Sequence, residues 1–120
     1  CGECLLAAGN EYVTVENRNG VPHLRVEPAP FASQRGAINM LMFSAVEIFN
    51  HRTTGVVLSG MGRDGCAGLL MMRQKGAVTV AQSEKSSIVF GMPMVALKEN
   101  AARYELAPYE MAELLLRFRA

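Results

Sequence analysis

Val56-Val57-Leu58-Ser59-Gly60-Met61-Gly62-Arg63-Asp64-Gly65 decides the fold. Its opening is a continuous β-branched and aliphatic run, which is what a strand buried on both faces of a parallel sheet requires. Glycines stop the strand, and Leu69, Leu70, Met72 and Arg73 then keep helical spacing until Gly76 ends the helix. Val78-Thr79-Val80-Ala81 reads as a second buried strand. Strand, glycine loop, helix and strand in that order predict a βαβ unit with a right-handed crossover and parallel strands. The expected class is α/β: a doubly wound, mainly parallel sheet with helices on both faces.

Outward from this unit the pattern stays alternating. Downstream, Pro93 suits the first turn of a helix through Val95-Ala96-Leu97-Lys98, Tyr104-Glu105-Leu106 reads as a short strand, and Pro108 opens an amphipathic helix through Phe118. Upstream, Ile38, Leu41, Met42, Ala45, Val46 and Phe49 predict a helix from Ala37 to about Asn50. Pro28-Ala29-Pro30 cannot continue a ladder, so 28–36 is expected as loop. Tyr12 to Glu16 and Leu24 to Glu27 alternate with the period of half-buried strands, and Asn17-Arg18-Asn19-Gly20 between them suits a hairpin turn. Leu5 to Ala8, closed by Gly9-Asn10, reads as a buried strand.

The bulk numbers bound the function. The 120 residues, half of them hydrophobic, suit a single domain over 1–120. Twelve basic against eleven acidic side chains give a formal charge of +1, so no electrostatic footprint points to nucleic acid. Apolar runs such as 55–58 and 69–72 are far short of a membrane span, so no membrane insertion is expected. Three cysteines without regular spacing fit a reducing cytoplasm. A start at Cys1-Gly2-Glu3-Cys4, without an initiator methionine, predicts sequence upstream.

Chemistry is expected at Gly60 to Gly65, since open parallel sheets gather functional groups at the carboxyl ends of their strands. A glycine loop before a helix aims N–H donors at one place and adds the positive end of the helix. Such a loop serves either a bound phosphate or a transient oxyanion. Gly60, Gly62 and Gly65 fit G-x-G-x-x-G, with Glu84 about twenty residues on, so a dinucleotide-binding reading is formally available. Asp64 opposes it, because its carboxylate would lie against the pyrophosphate. A carboxylate here suits a nucleophile–histidine pair whose imidazole must be oriented, or a helix N-cap satisfying first-turn N–H groups.

The run from Val57 through Asp64 to Gly68, then Met72-Arg73-Gln74-Lys75-Gly76-Ala77, then Ala81-Gln82-Ser83-Glu84 to Val89-Phe90-Gly91-Met92-Pro93, resembles the catalytic domain of the CheB family of chemotaxis methylesterases. Leu5 to Gly9 and the hairpin resemble its upstream part, so the likeness covers nearly the whole chain. It implies a Rossmann-like, methylesterase-type domain, N-terminally truncated, of which 1–120 is the C-terminal part. It also implies hydrolysis of glutamyl methyl esters on a methylated chemoreceptor, releasing methanol, with glutamine deamidation in some members. By the same resemblance Asp64 matches the acid of a Ser–His–Asp triad, and the Met61 backbone N–H matches an oxyanion donor. The family's serine and histidine lie upstream of Cys1, so this chain alone is expected to be inactive. A receiver domain in the parent chain is implied too, and neither cofactor nor metal. One departure is local: where the family has a histidine and a proline before the helix, this chain has Ser33-Gln34-Arg35-Gly36-Ala37.

Other residues carry plainer expectations. Ser59 lacks the G-x-S-x-G elbow and reads as a strand-end structural serine. Cys1 and Cys4 lack the second pair that a zinc site needs. Cys66, at a helix N-terminus, suits either a lowered pKa or simple packing, with packing favoured. Met40, Met42, Met71 and Met72 read as core filler. His23 and His51 match no catalytic position. Two functions from different classes follow: part of a hydrolase, or a degenerate homologue serving as a binding or scaffold module. If the preceding strands are absent, the apolar sheet edge is expected to be covered in a homodimer or by a swapped strand.

Overall fold

The computed structural model describes residues 2–28 and 36–117. Two strands come first, β1 (Glu11–Arg18) and β2 (Val21–Pro28), followed by helix α1 (Ala37–Phe49) and a 3-10 turn at Asn50–Arg52. The βαβ unit follows as β3 (Thr54–Val57), α2 (Cys66–Gln74) and β4 (Val78–Gln82). Helix α3 (Met92–Lys98), β5 (Tyr104–Leu106) and α4 (Pro108–Leu116) complete the order. Strands β3, β4 and β5 lie side by side in that order, both pairs parallel, with Val57 opposite Ala81 and Gln82 opposite Leu106. The α/β class and the βαβ unit are as expected, but β3 is not buried on both faces: it lies at an edge of the described sheet, its burial alternates, and Leu58 just beyond it is exposed.

Packing explains the order. Val46, Val57, Leu69, Ala81, Ala96 and Ala101 are buried in one core where α1, α2 and α3 meet the sheet. α1 and α2 cross closely because of Gly68: a Cβ there would stand 2.6 Å from the Met42 Cβ. α4 lies against β5, and its start is fixed by Pro108 and by Glu110 Oε1, which accepts the Ala107 N–H at 2.9 Å. The helix ends at Leu116, and Phe118 lies outside the described residues.

The expected hairpin forms, with Val13 opposite Val26 and Val15 opposite Leu24, and Asn19 and Gly20 turn it with positive φ of 52° and 82°. Four expectations about these segments and the helical methionines need correction. β2 is exposed along its whole length, because α1 packs on β1 and leaves the outer strand uncovered. β2 also runs through Pro28, paired with Glu11; an outer strand tolerates a proline that has no ladder bond to donate. The remainder of the expected 28–36 loop, at 29–35, lies outside the described residues. Leu5 to Ala8 forms no strand among the described residues, and Leu6 is 98% exposed. An apolar run becomes a strand only where a neighbour offers a ladder. Of the four helical methionines, Met42 and Met72 are core while Met40 and Met71 are exposed.

Candidate active site

The end of β3 is fixed by groups distant in sequence. Ser59 donates its N–H to Gln82 Oε1 at 2.8 Å, and the Gln82 amide donates to Ser86 O at 2.9 Å. A glutamine only 7% exposed is thereby satisfied at both ends of its amide. Ser59 Oγ accepts the Val89 N–H at 2.9 Å and donates to Val89 O at 3.2 Å. Gly60 donates to Val89 O and accepts from Gly91 and Met92, so the strand end, the β4–α3 loop and the start of α3 form one clip. A Cβ on Gly91 would meet Gly60 O at 2.8 Å, which is why glycine stands there. With both functions of its hydroxyl used on backbone, Ser59 is structural, as expected.

Asp64 is turned toward α1. Its Oδ2 accepts the Ile38 N–H at 3.0 Å and its Oδ1 the Asn39 N–H at 3.1 Å. The start of α1 has no side-chain cap of its own, with Gly36 at the N-cap and Ala37 next. First-turn donors need acceptors, and a carboxylate 25 residues away in sequence supplies them. Asp64 is thus a helix cap, but of α1 and not of the helix it precedes. The service is returned: Asn39 Oδ1 accepts the Gly65 N–H at 3.0 Å and the Gly68 N–H at 2.8 Å, capping α2. The two helix starts are cross-linked by one side chain from each.

This cross-cap decides what the loop can bind. A pyrophosphate would need the amides at the α2 start, and Asn39 already occupies two of them. The dinucleotide reading fails on that geometry. The Asp64 carboxylate retains capacity: each oxygen has two lone pairs and accepts one N–H from α1, which leaves one on each without a donor among the described residues. Asp64 is half-buried and lines an open cavity of about 330 Å³ with Gly36, Asn39, Arg63, Ala67 and Glu99. A donor from another segment can reach it there.

Around the carboxylate the charges are arranged in pairs. Arg63 reaches away from Asp64 and grips both oxygens of Glu99, at 2.7 and 2.9 Å. Cys66 is buried and donates its thiol to Glu99 Oε2 at 3.2 Å. Burial first, and then the hydrogen bond to Glu99, push the Cys66 thiol up to about 11. The Glu99 carboxyl is held below its usual range, first by the Cys66 hydrogen bond and then by Arg63. The packing reading of Cys66 holds, and the lowered-pKa reading does not.

Met61 caps the loop with its side chain 81% exposed, and its N–H has no protein acceptor among the described residues. Neither histidine joins Asp64. His23 sits on the outer hairpin strand with Nδ1 against Val21 O. His51 follows the C-terminal end of α1, while Asp64 holds the N-terminal end, and 13 helical residues span about 20 Å. Cys4 is exposed and Cys1 lies outside the described residues. Among the described residues no three His, Cys, Asp or Glu side chains cluster as a metal site, and no helix is long and apolar enough to cross a membrane. Asn39, Gln82 and Glu99 escaped the sequence reading. Glu99 has no motif, and Gln82 and Asn39 act across 23 to 29 residues.

Comparison with known proteins agrees with this architecture. A family model described as CheB methylesterase matches residues 1–115. A protein-glutamate methylesterase/protein-glutamine glutaminase of Pyrococcus abyssi is 35% identical over 117 residues, covering 97% of this chain and 32% of that protein. A protein of the same description from Agrobacterium fabrum is 38% identical over 117 residues, again 97% of this chain and 33% of the other. The crystal structure of the Thermotoga maritima CheB methylesterase catalytic domain superposes with a TM-score of 0.84 at 26% identity, over 94% of this chain and 60% of that one. The chain spans about a third of the length of the curated relatives it matches.

Proposed function

The chain belongs to the CheB methylesterase family, and from that premise we propose that it is the C-terminal part of the catalytic domain of a chemoreceptor methylesterase, with Asp64 as the acid of its catalytic triad. The observation that carries the proposal is the Asp64 carboxylate, fixed by two backbone N–H groups in the loop after β3, with one lone pair on each oxygen that takes no donor among the described residues. A triad acid must hold an imidazole in one tautomer and stabilise its positive charge, which requires a carboxylate that does not itself move. The Met61 N–H, unpaired within the described chain, is the oxyanion donor.

The reaction then runs as acyl transfer. A serine outside these residues attacks the glutamyl ester carbonyl while a histidine takes its proton. The tetrahedral oxyanion is met by the Met61 N–H, and the histidine returns the proton to methanol as it leaves. Water, activated by the same histidine, hydrolyses the acyl-enzyme to the glutamate side chain. A glutamine substrate follows the same path with ammonia as the leaving group. The receptor is cytoplasmic at this site, and a receiver domain in the parent chain gates access. β3 is one of the two edges of the three-stranded sheet among the described residues, and further strands of the parent domain cover it; in the isolated 120 residues a second copy does so.

Methanol release from methylated receptor by the full-length protein and by the isolated 120 residues tests this. The full-length protein turns over and the isolated chain is silent. Hydrolysis by the isolated chain at the full-length rate would refute the assignment of serine and histidine to other residues.

A further inference from the structure

Resting on the reading of Asp64 as the triad acid, we infer that Asn39 is a positioning residue for the reaction, holding Asp64 from two sides at once. Its side-chain oxygen takes the N–H of Gly65 at 3.0 Å and of Gly68 at 2.8 Å, while its own backbone N–H donates to Asp64 Oδ1 at 3.1 Å. The Gly65 nitrogen belongs to the planar peptide that begins at the Asp64 carbonyl, so fixing that nitrogen fixes the plane from which the Asp64 side chain departs. The carboxylate is therefore constrained at its root through Gly65 and at its tip through the Asn39 amide. No other side chain among the described residues touches both ends of this arrangement. Gly68 adds a lever: its amide lies in the first turn of α2, so the same oxygen locks the loop to the helix that follows.

The consequence is kinetic as well as structural. A triad acid displaced by a fraction of its hydrogen-bond length tilts the imidazole away from the serine, and small misplacements of this kind cost rate and not substrate binding. On this inference Asn39 is not one of the reacting groups: its cap on α2 contributes to stability, and its effect on rate passes through Asp64. Its contribution should therefore vanish when the acid is disabled, which a purely stabilising residue would not do.

The test uses the full-length protein and methanol release from methylated receptor. Asn39→Ala lowers kcat by up to about 100-fold with KM unchanged. Asn39→Asp, which keeps the acceptor in place at a helix start that favours negative charge, restores kcat to within about threefold of the unaltered enzyme. In an Asp64→Asn background, adding Asn39→Ala costs less than about threefold more. Should Asn39→Ala fail to fold, Asn39→Gln, whose amide is displaced by one methylene, replaces it in both arms. A kcat for Asn39→Ala within twofold of the unaltered enzyme, or its full factor retained in the Asp64→Asn background, overturns the inference while leaving the triad reading standing. Full activity in Asp64→Asn overturns the triad reading itself, and Asn39 then has no acid to position.

Discussion

The hairpin of β1 and β2 and the unit from β3 to β5 are both built on strands, yet they are held in opposite ways. The hairpin is held by its own ladder and by surface ion pairs such as Arg18 to Glu16 at 2.5 Å, and it is tied to α1 through Val15, whose N–H donates to Ser44 Oγ at 2.9 Å. The second unit is laced by bonds between distant residues: Ser59 to Gln82, Ser59 to Val89, Asp64 to α1, Asn39 to α2 and Cys66 to Glu99. A surface element needs only to exist, whereas a loop that holds a reacting group must hold its geometry. The density of long-range bonds around residues 59–66 marks where that demand falls.

The sharpest break in the comparison is Asp64→Asn in the full-length protein. One acceptor toward α1 survives, so the fold persists, while the charge that orients the imidazole is gone; kcat for methanol release falls by about 10⁴-fold. A loss below tenfold would make the residue a cap and nothing more. Next in size is Leu69→Ala, at a side chain with no exposed surface in the core beneath the loop. It destabilises by about 2–5 kcal/mol in denaturant unfolding. An effect under 1 kcal/mol would mean that the braced half is no better packed than the hairpin.

The thiols give a pH-dependent version of the same contrast. Cys66 is raised from 9.0 to about 11 in the folded chain, so the folded state holds its proton longer than the unfolded state. Stability linked to this group is complete below about pH 9 and is lost as pH rises toward about 11. Unfolding followed across that window shows the loss, and Cys66→Ala removes it. Alkylation at neutral pH, followed by mass spectrometry, labels exposed Cys4 and spares Cys66. The smallest effect belongs to the surface: Glu16→Gln, which breaks the exposed pair with Arg18, changes stability by less than about 0.5 kcal/mol.

How much of this was legible depended on whether the deciding force was local. The βαβ unit was readable because two apolar runs, Val56 to Leu58 and Val78 to Ala81, flank a glycine loop and a helical pattern, although only β4 is buried nearly throughout while β3 alternates and Leu58 is exposed; the hairpin was readable because Asn19 and Gly20 carry the backbone preference the turn needs. Leu5 to Ala8 misled because an apolar run looks the same whether or not a ladder partner lies beside it. Pro28 misled because its missing N–H matters only where a neighbour would use it. The cross-cap was invisible as a motif, since Asp64 and Asn39 lie 25 residues apart. A negative signal did exist: α1 begins at Gly36-Ala37 with no Ser, Thr, Asp or Asn to accept its first N–H groups, so an acceptor had to come from elsewhere. Asp64, a carboxylate in a loop free of other acids, was the available donor of that service.

On the proposed function, the Asp64 carboxylate, pinned on one side by the amides of Ile38 and Asn39, offers its other side to a histidine that is neither His23 nor His51. A crystal structure of the full-length protein tests it by one distance. A histidine nitrogen is expected about 2.6–3.2 Å from an Asp64 oxygen, with the two α1 bonds intact. An Asp64 carboxylate facing solvent with no imidazole within hydrogen-bond reach would contradict it.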